Sequence, residues 1–286
     1  LELTEPGFKH DICSAVHPTA VSSPFFNTLP LSDHGLAWIH PDFPLAHPLD
    51  NGEAVIVEKS FENTLQRLGS DSKNYKKLFK DFIDSWEYLS KDLFGTLRIP
   101  NHPISMMRFG WYGMFSSTLL SNSFFKSERT KACFAGLAAH SILPLGYAFT
   151  ASFGLVLGTT IHSVGWPIAK NGSHAITKAL ESYFKTLGGE IELNTHIESL
   201  DEFPEGKPIL FDLTPQQIVT IADRKLPDSL RDKLLSYNYG PGVFKIDFAL
   251  SEPVAPQLLQ NGFRQGETFV FLFSILIPII IIDNTA

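Results

Sequence analysis

Apolar residues recur along this chain with two periods. Between 75 and 89 the spacing is helical: Tyr75, Leu78, Phe79, Phe82, Ile83, Trp86 and Leu89 share one face, with lysines and acids opposite. That polar face mixes both charge signs, which favours a helix against a core over one lying on a membrane. A shorter helix precedes it, opened by Ser60, carrying Phe61, Leu65 and Leu68 and stopped by Gly69; Gly52 begins a turn into the strand AVIVEK. From Ser173 the pattern is again helical, with Ile176, Leu180, Tyr183, Phe184 and Leu187 on one side. Ser173 stands at its N-cap, Lys185 in its last turn, and Gly188 where a left-handed residue ends a helix. Ile191 and Leu193 then alternate, which predicts a strand with one buried side running on through residues 196–200. Residues 208–213 predict a further strand, Thr214 an N-cap and Pro215 the first helical residue. Pro227 opens another helix, and in VFKIDFAL the alternation places Phe244, Ile246 and Phe248 on one sheet face.

Two stretches fit neither period. Residues 1–53 are rich in Pro, His, Ser and Gly and predict a long loop, of the kind that is functional or held by a ligand. Residues 100–165 are apolar with few charges and many small residues. Within them Ser127 to Ala139 reads as a buried helix, whose Ala132, Ala135, Gly136, Ala138 and Ala139 let another element or a ligand approach closely. At the far end Phe269 to Ile282 is apolar for only 14 residues, with Ser274 and Pro278 inside. A bilayer span takes roughly 20, so this tail is not read as transmembrane; an out-of-frame or fragmentary end is the expectation.

Composition narrows the function classes. A chain of 286 residues that is 44% hydrophobic and 19% charged builds buried cores. Its net charge of −7 and scattered basic residues leave no electrostatic footprint for nucleic acid. Cys13 and Cys133 lie far apart in apolar company, as reduced core residues do in a reducing compartment. The ten histidines make no H-x-x-x-H pair on one helix and no H-E-x-x-H, and neither Cys-x-x-Cys nor G-x-S-x-G occurs. Metal ligation and serine hydrolysis therefore have no support.

Four phrases, in order, carry a resemblance: LTEPGFKHDICSAVHP, PIAKNGSHAITKALESYFKTLGGEI, ILFDLTPQQ and YGPGVFKIDFAL. Together they cover roughly residues 1 to 250 and are similar to the phytoene desaturase-like, FAD-dependent oxidoreductases, closest to the phytoene dehydrogenase-related branch of the amine oxidase superfamily. The resemblance implies a mixed α/β (α+β) chain in which a partial FAD-binding Rossmann-like domain is interleaved with a largely helical substrate domain. It divides the chain into 1–53, a remnant of the flavin domain with flavin-proximal loops; 54–165, the substrate domain; 166–224, the return into the flavin domain; and 225–286, a substrate-domain helix and strand with the apolar tail. It implies hydride abstraction from a hydrophobic or amine-like substrate, with FAD doing the redox chemistry and the protein supplying orientation and exclusion of water.

By the same resemblance Asp11, Ser14 and His17 lie along the flavin, and Ile197 lies against its adenine. The alternative readings stay open: Asp11 as a turn cap, His17 as a hydrogen-bonded loop histidine, Ile197 as an ordinary buried strand residue. The apolar stretch offers Met106, Met107, Trp111, Phe115, Phe134 and His140 as walls of a substrate pocket, with plain core packing as the alternative. Peripheral membrane contact is a further implication, as is a cytoplasmic or mitochondrial-matrix location. No G-x-G-x-x-G occurs in these residues, so the phosphate-cradling half of a dinucleotide site is missing. The expectation is a chain that does not retain FAD by itself, with a non-catalytic binding or regulatory member of the family as the alternative.

Overall fold

The computed structural model describes residues 2–8, 10–41, 43–49, 54–96, 98–240 and 269–271. They fall into two compact units, residues 1–187 with 244–286, and residues 188–243. The division after residue 187 falls inside the segment 166–224.

In the larger unit α1 (Pro18–Ser22), β1 (Trp38–Ile39), β2 (Phe43–Pro48) and β3 (Ala54–Val57) precede a run of helices: α2 (Phe61–Arg67), α3 (Ser72–Asp84), α4 (Trp86–Leu93), α5 (Pro103–Gly113), α6 (Ser117–Phe124), α7 (Glu128–Ala138) and α8 (Thr150–Ser163). β4 (Ile168–Ala169) and α9 (His174–Thr186) follow. The smaller unit holds α10 (Pro215–Ala222) and α11 (Asp228–Leu235), and β5 (Phe269–Phe271) returns to the larger one. The chain is thus of a mixed, α-rich class.

The expected helix starts hold where a cap is written locally. Ser60 Oγ accepts the Asn63 amide at 3.3 Å and opens α2. The Gln217 side chain reaches back to the Thr214 amide at 3.0 Å, and Pro215 begins α10. Gly188, at φ +84°, ends α9 as predicted. The long stripe from Tyr75 to Leu89 is buried as expected, yet it runs over two helices. Ser85 interrupts it, donating its hydroxyl to the Asp81 carbonyl at 2.6 Å and leaving helical geometry. Serine competes with the ladder in this way.

The main core forms where α3 and α7 close on α8. Two glycines of α8, one turn apart, make this possible. A Cβ on Gly154 would stand 2.8 Å from Phe134 Cζ, and one on Gly158 would stand 2.6 Å from Phe79 Cε1. Both rings therefore lie directly on helix backbone, and Phe79, Phe134, Leu155 and Ile161 are all buried. A second, smaller core gathers Leu31, Leu36, Ala169 and Ala179, joining the loop before β1 to α9.

The Rossmann-like layer is where structure and sequence part. The described strands are an antiparallel β1–β4 pair and a three-stranded sheet in the order β3–β2–β5, of which only β2–β5 is parallel. No doubly wound layer is present among the described residues. The predicted strands at 191–200 and 208–213 are irregular chain. Leu193 and Leu210 are strongly exposed there, and an alternating segment without a neighbouring strand has nothing to pair its backbone groups. The turn at Gly52 and the strand in VFKIDFAL lie outside the described residues, as does the apolar tail apart from β5.

Candidate functional site

Asp11, Ser14 and His17, separated from α9 by more than 150 positions, converge on the residue that begins it. The Asn171–Gly172 turn, with φ of +72° and +91°, delivers Ser173 to this meeting point. Glycine is the natural occupant at 172 on two counts: its positive φ, and Asp11 Oδ1, which lies 3.1 Å from where a Cβ would be. The Ser173 amide donates to Asp11 Oδ1 at 2.8 Å. A carboxylate from the N-terminal loop thus takes the place of the helix's own cap and sits at the positive end of its dipole.

The proton positions follow from the donor count. Ser173 Oγ donates to the Ser14 carbonyl at 2.7 Å. Having one hydrogen, it must accept from His17 Nε2, 2.7 Å away, which fixes the neutral His17 ring as its Nε2–H tautomer. The His17 amide donates to the Pro167 carbonyl at 2.9 Å, and its ring lies beside Trp38 at 5.9 Å. Burial holds the imidazole below its ordinary value against the opposing pull of Asp11. His34 adds a second tie, pairing with Ser182 Oγ of α9 at 2.8 Å.

Ile197 belongs to the other compact unit and stands half-buried in irregular chain, so the strand expected to carry it is absent. Asp11, His17 and the Ser14 carbonyl meet at Ser173, while the Ser14 hydroxyl donates to the Val16 carbonyl at 3.0 Å. Of the four residues named as flavin contacts, Asp11, Ser14 and His17 thus lie in the larger unit and Ile197 in the smaller.

The residues expected around a hydrophobic substrate are dispersed in the larger unit. Phe134 is a core residue pressed on Gly154. Met106 and Phe115 are half-buried against the same core. Met107 and Trp111 point to solvent, 69% and 60% exposed, and His140 is exposed with its ring edge toward Trp166 at 6.3 Å. A cavity of about 470 Å³ opens elsewhere, lined by Ser22, Trp86, Glu87, Lys91, His162 and Val164 among others.

His162 escaped the sequence reading. Its Nε2 accepts the Tyr75 hydroxyl at 2.9 Å, and Nδ1 faces the Lys59 carbonyl at 3.4 Å. Burial drives the imidazole down to about 4, although the backbone carbonyls at Lys59 and Glu58 pull the other way. Burial, then the nearby Cys133, pushes the Tyr75 phenol well up, and burial pushes the Cys133 thiol up to about 12. The only signal in the sequence was a lone histidine in a stretch without charged residues.

Among the described residues no group of three His, Cys, Asp or Glu could hold a metal ion, and no helix is long and apolar enough to cross a membrane. No known family, curated protein or solved structure matches the chain.

Proposed function

We propose that this chain is a segment of a flavin-dependent oxidoreductase that abstracts hydride from a hydrophobic or amine-like substrate, and that these 286 residues carry its helical, substrate-side body without retaining FAD. The observation behind this reading is the junction at Ser173. The resemblance assigns residues 1–53 and 166–224 to one flavin domain, and parts of these distant segments are joined through Asp11, Ser14 and His17 at Ser173 and by the β1–β4 pair. Bound flavin would supply the hydride acceptor, while an apolar helical body excludes water from the reacting bond.

A non-catalytic binding member of the same family is the second reading. It is favoured by Asp11, His17 and Ser173 already satisfying one another. Colour separates the two. The complete coding sequence, expressed whole, is expected to copurify with flavin absorbing near about 450 nm, and the 286-residue chain is expected to be colourless. A colourless whole product would favour the binding protein; flavin retained by the shorter chain through gel filtration would overturn the assignment of a missing cradle.

A further inference from the structure

The helix α5 is apolar on both faces, and only one is covered. Phe109 and Tyr112 turn inward, each meeting the Phe82 ring edge-on at 6.0 and 6.4 Å. Ile104, Met107, Trp111 and Met114 recur at spacings of three and four on the other side, exposed by between 46% and 77%. Phe149 and Phe153, also exposed, extend that face: the Phe149 amide donates to the Met114 carbonyl at 3.1 Å, and Gly113 lies against Ser152. A helix apolar all round belongs inside a larger body.

The extent of the face indicates how large a body. Taking roughly 200 Å² for a side chain of this size, these six expose on the order of 700 Å². An ordinary surface patch covers a few hundred Å², whereas a stable complex buries about 800 Å² on each partner. Its chemistry indicates what kind. Residues 109–125 and 132–169 contain no Asp, Glu, Lys or Arg, and Arg108 is drawn aside to the Asp81 carboxylate and the Lys77 carbonyl. A helix that docks on lipid sets Lys and Arg beside its apolar side, and an interface that selects a foreign partner uses charge to do so. Neither feature lies within these intervals. Met and aromatic residues without charge are the composition of a homodimer core.

Gly110 sits among these side chains with no atom within 4 Å of where its Cβ would be. Within a helix such a glycine is less favourable than alanine, and among the described residues nothing uses the space. We propose that this face of α5 is a homodimer interface, in which two copies cross at Gly110 about a two-fold axis and each Trp111 packs beside the other copy's notch. A self-complementary ridge and notch on one surface is what an isologous contact requires.

Sedimentation velocity on the whole chain over a concentration series tests this. The expected species has twice the 31.8 kDa chain mass. Trp111→Glu and Gly110→Leu are each expected to raise the dissociation constant about a hundredfold, as loss of a central contact does. Both should leave the far-ultraviolet circular dichroism unchanged, since each position faces solvent in a single copy. Leu210→Glu, on an exposed residue of the smaller unit, should leave the dimer intact. A wild-type chain that stays monomeric, or a dimer indifferent to both α5 substitutions, overturns the proposal. So does a monomer that floats with phosphatidylcholine vesicles, which would assign the face to lipid. The outcome is independent of whether flavin binds.

Discussion

A methyl group added at Gly158 would stand 2.6 Å from Phe79 Cε1 and 2.7 Å from Cζ, and Phe79 is wholly buried. The ring has nowhere to withdraw, so overpacking outweighs the helix propensity gained. Gly158→Ala is expected to destabilise the chain by about 1–3 kcal/mol, read from the urea midpoint. His162 couples stability to pH. Its folded value of about 4 lies below the ordinary imidazole value of about 6.5, so between these the unfolded chain binds the extra proton. The contribution is complete above pH ~6.5, is lost as pH falls towards ~4, and changes no further below that. His17 and His47, also lowered by burial, act in the same direction. The melting temperature should therefore fall across this window, and His162→Asn should flatten the fall. Asp11, Ser14 and His17 were singled out by resemblance and Ser173 as an N-cap, but that they meet was not legible. Their placement follows from tertiary contact with Ser173, which no local spacing encodes.

Among the elements, α7 depends on a residue far from it in sequence. Asp71, fully buried, accepts the amides of Lys126 and Ser127 at 2.8 Å each and closes the start of that helix. Asp71→Ala would strip these two part-buried amides of their acceptor, an expected loss of about 1–3 kcal/mol; the conservative Asp71→Asn should keep part of it because its amide oxygen still accepts. Thermal unfolding of the two variants against wild type checks the order. Helices with one apolar stripe, α2, α3, α4 and α9, could be read from periodicity because solvent on one side writes the pattern. The central α8 could not. Gly154, Gly158, Thr159 and Thr160 are poor helix formers, and a helix covered on most sides carries little periodicity. The strands expected at 191–200 and 208–213 failed for the converse reason: alternation marks a strand only where a neighbour exists to pair with it.

At the scale of the whole molecule the two units differ in what holds them. The larger is built on rings and leucines with no exposure to speak of, whereas Val219 and Ala222 are the buried apolar residues in the described part of the smaller one. Local opening should follow that difference. Amides of α10 and α11 are expected to exchange at least about a hundredfold faster than those of α8 in native-state hydrogen exchange; equal protection would show that the smaller unit is held by something beyond its own core. The mixed, α-rich class was legible from the helical stripes. Beyond the strand at Ala54–Val57, the two sheets were not, because their long-range pairings join residues 38 to 169 and 43 to 269, and register across such distances leaves no local mark.

The two thiols sit on opposite sides of the boundary between water and core. Cys13 is exposed, while Cys133 is buried beside Tyr75 with its thiol held protonated. A maleimide dye should modify the first within its mixing time and reach the second only when the helices part. The chain thus carries its own stopwatch for the opening of its interior, with a built-in loading control.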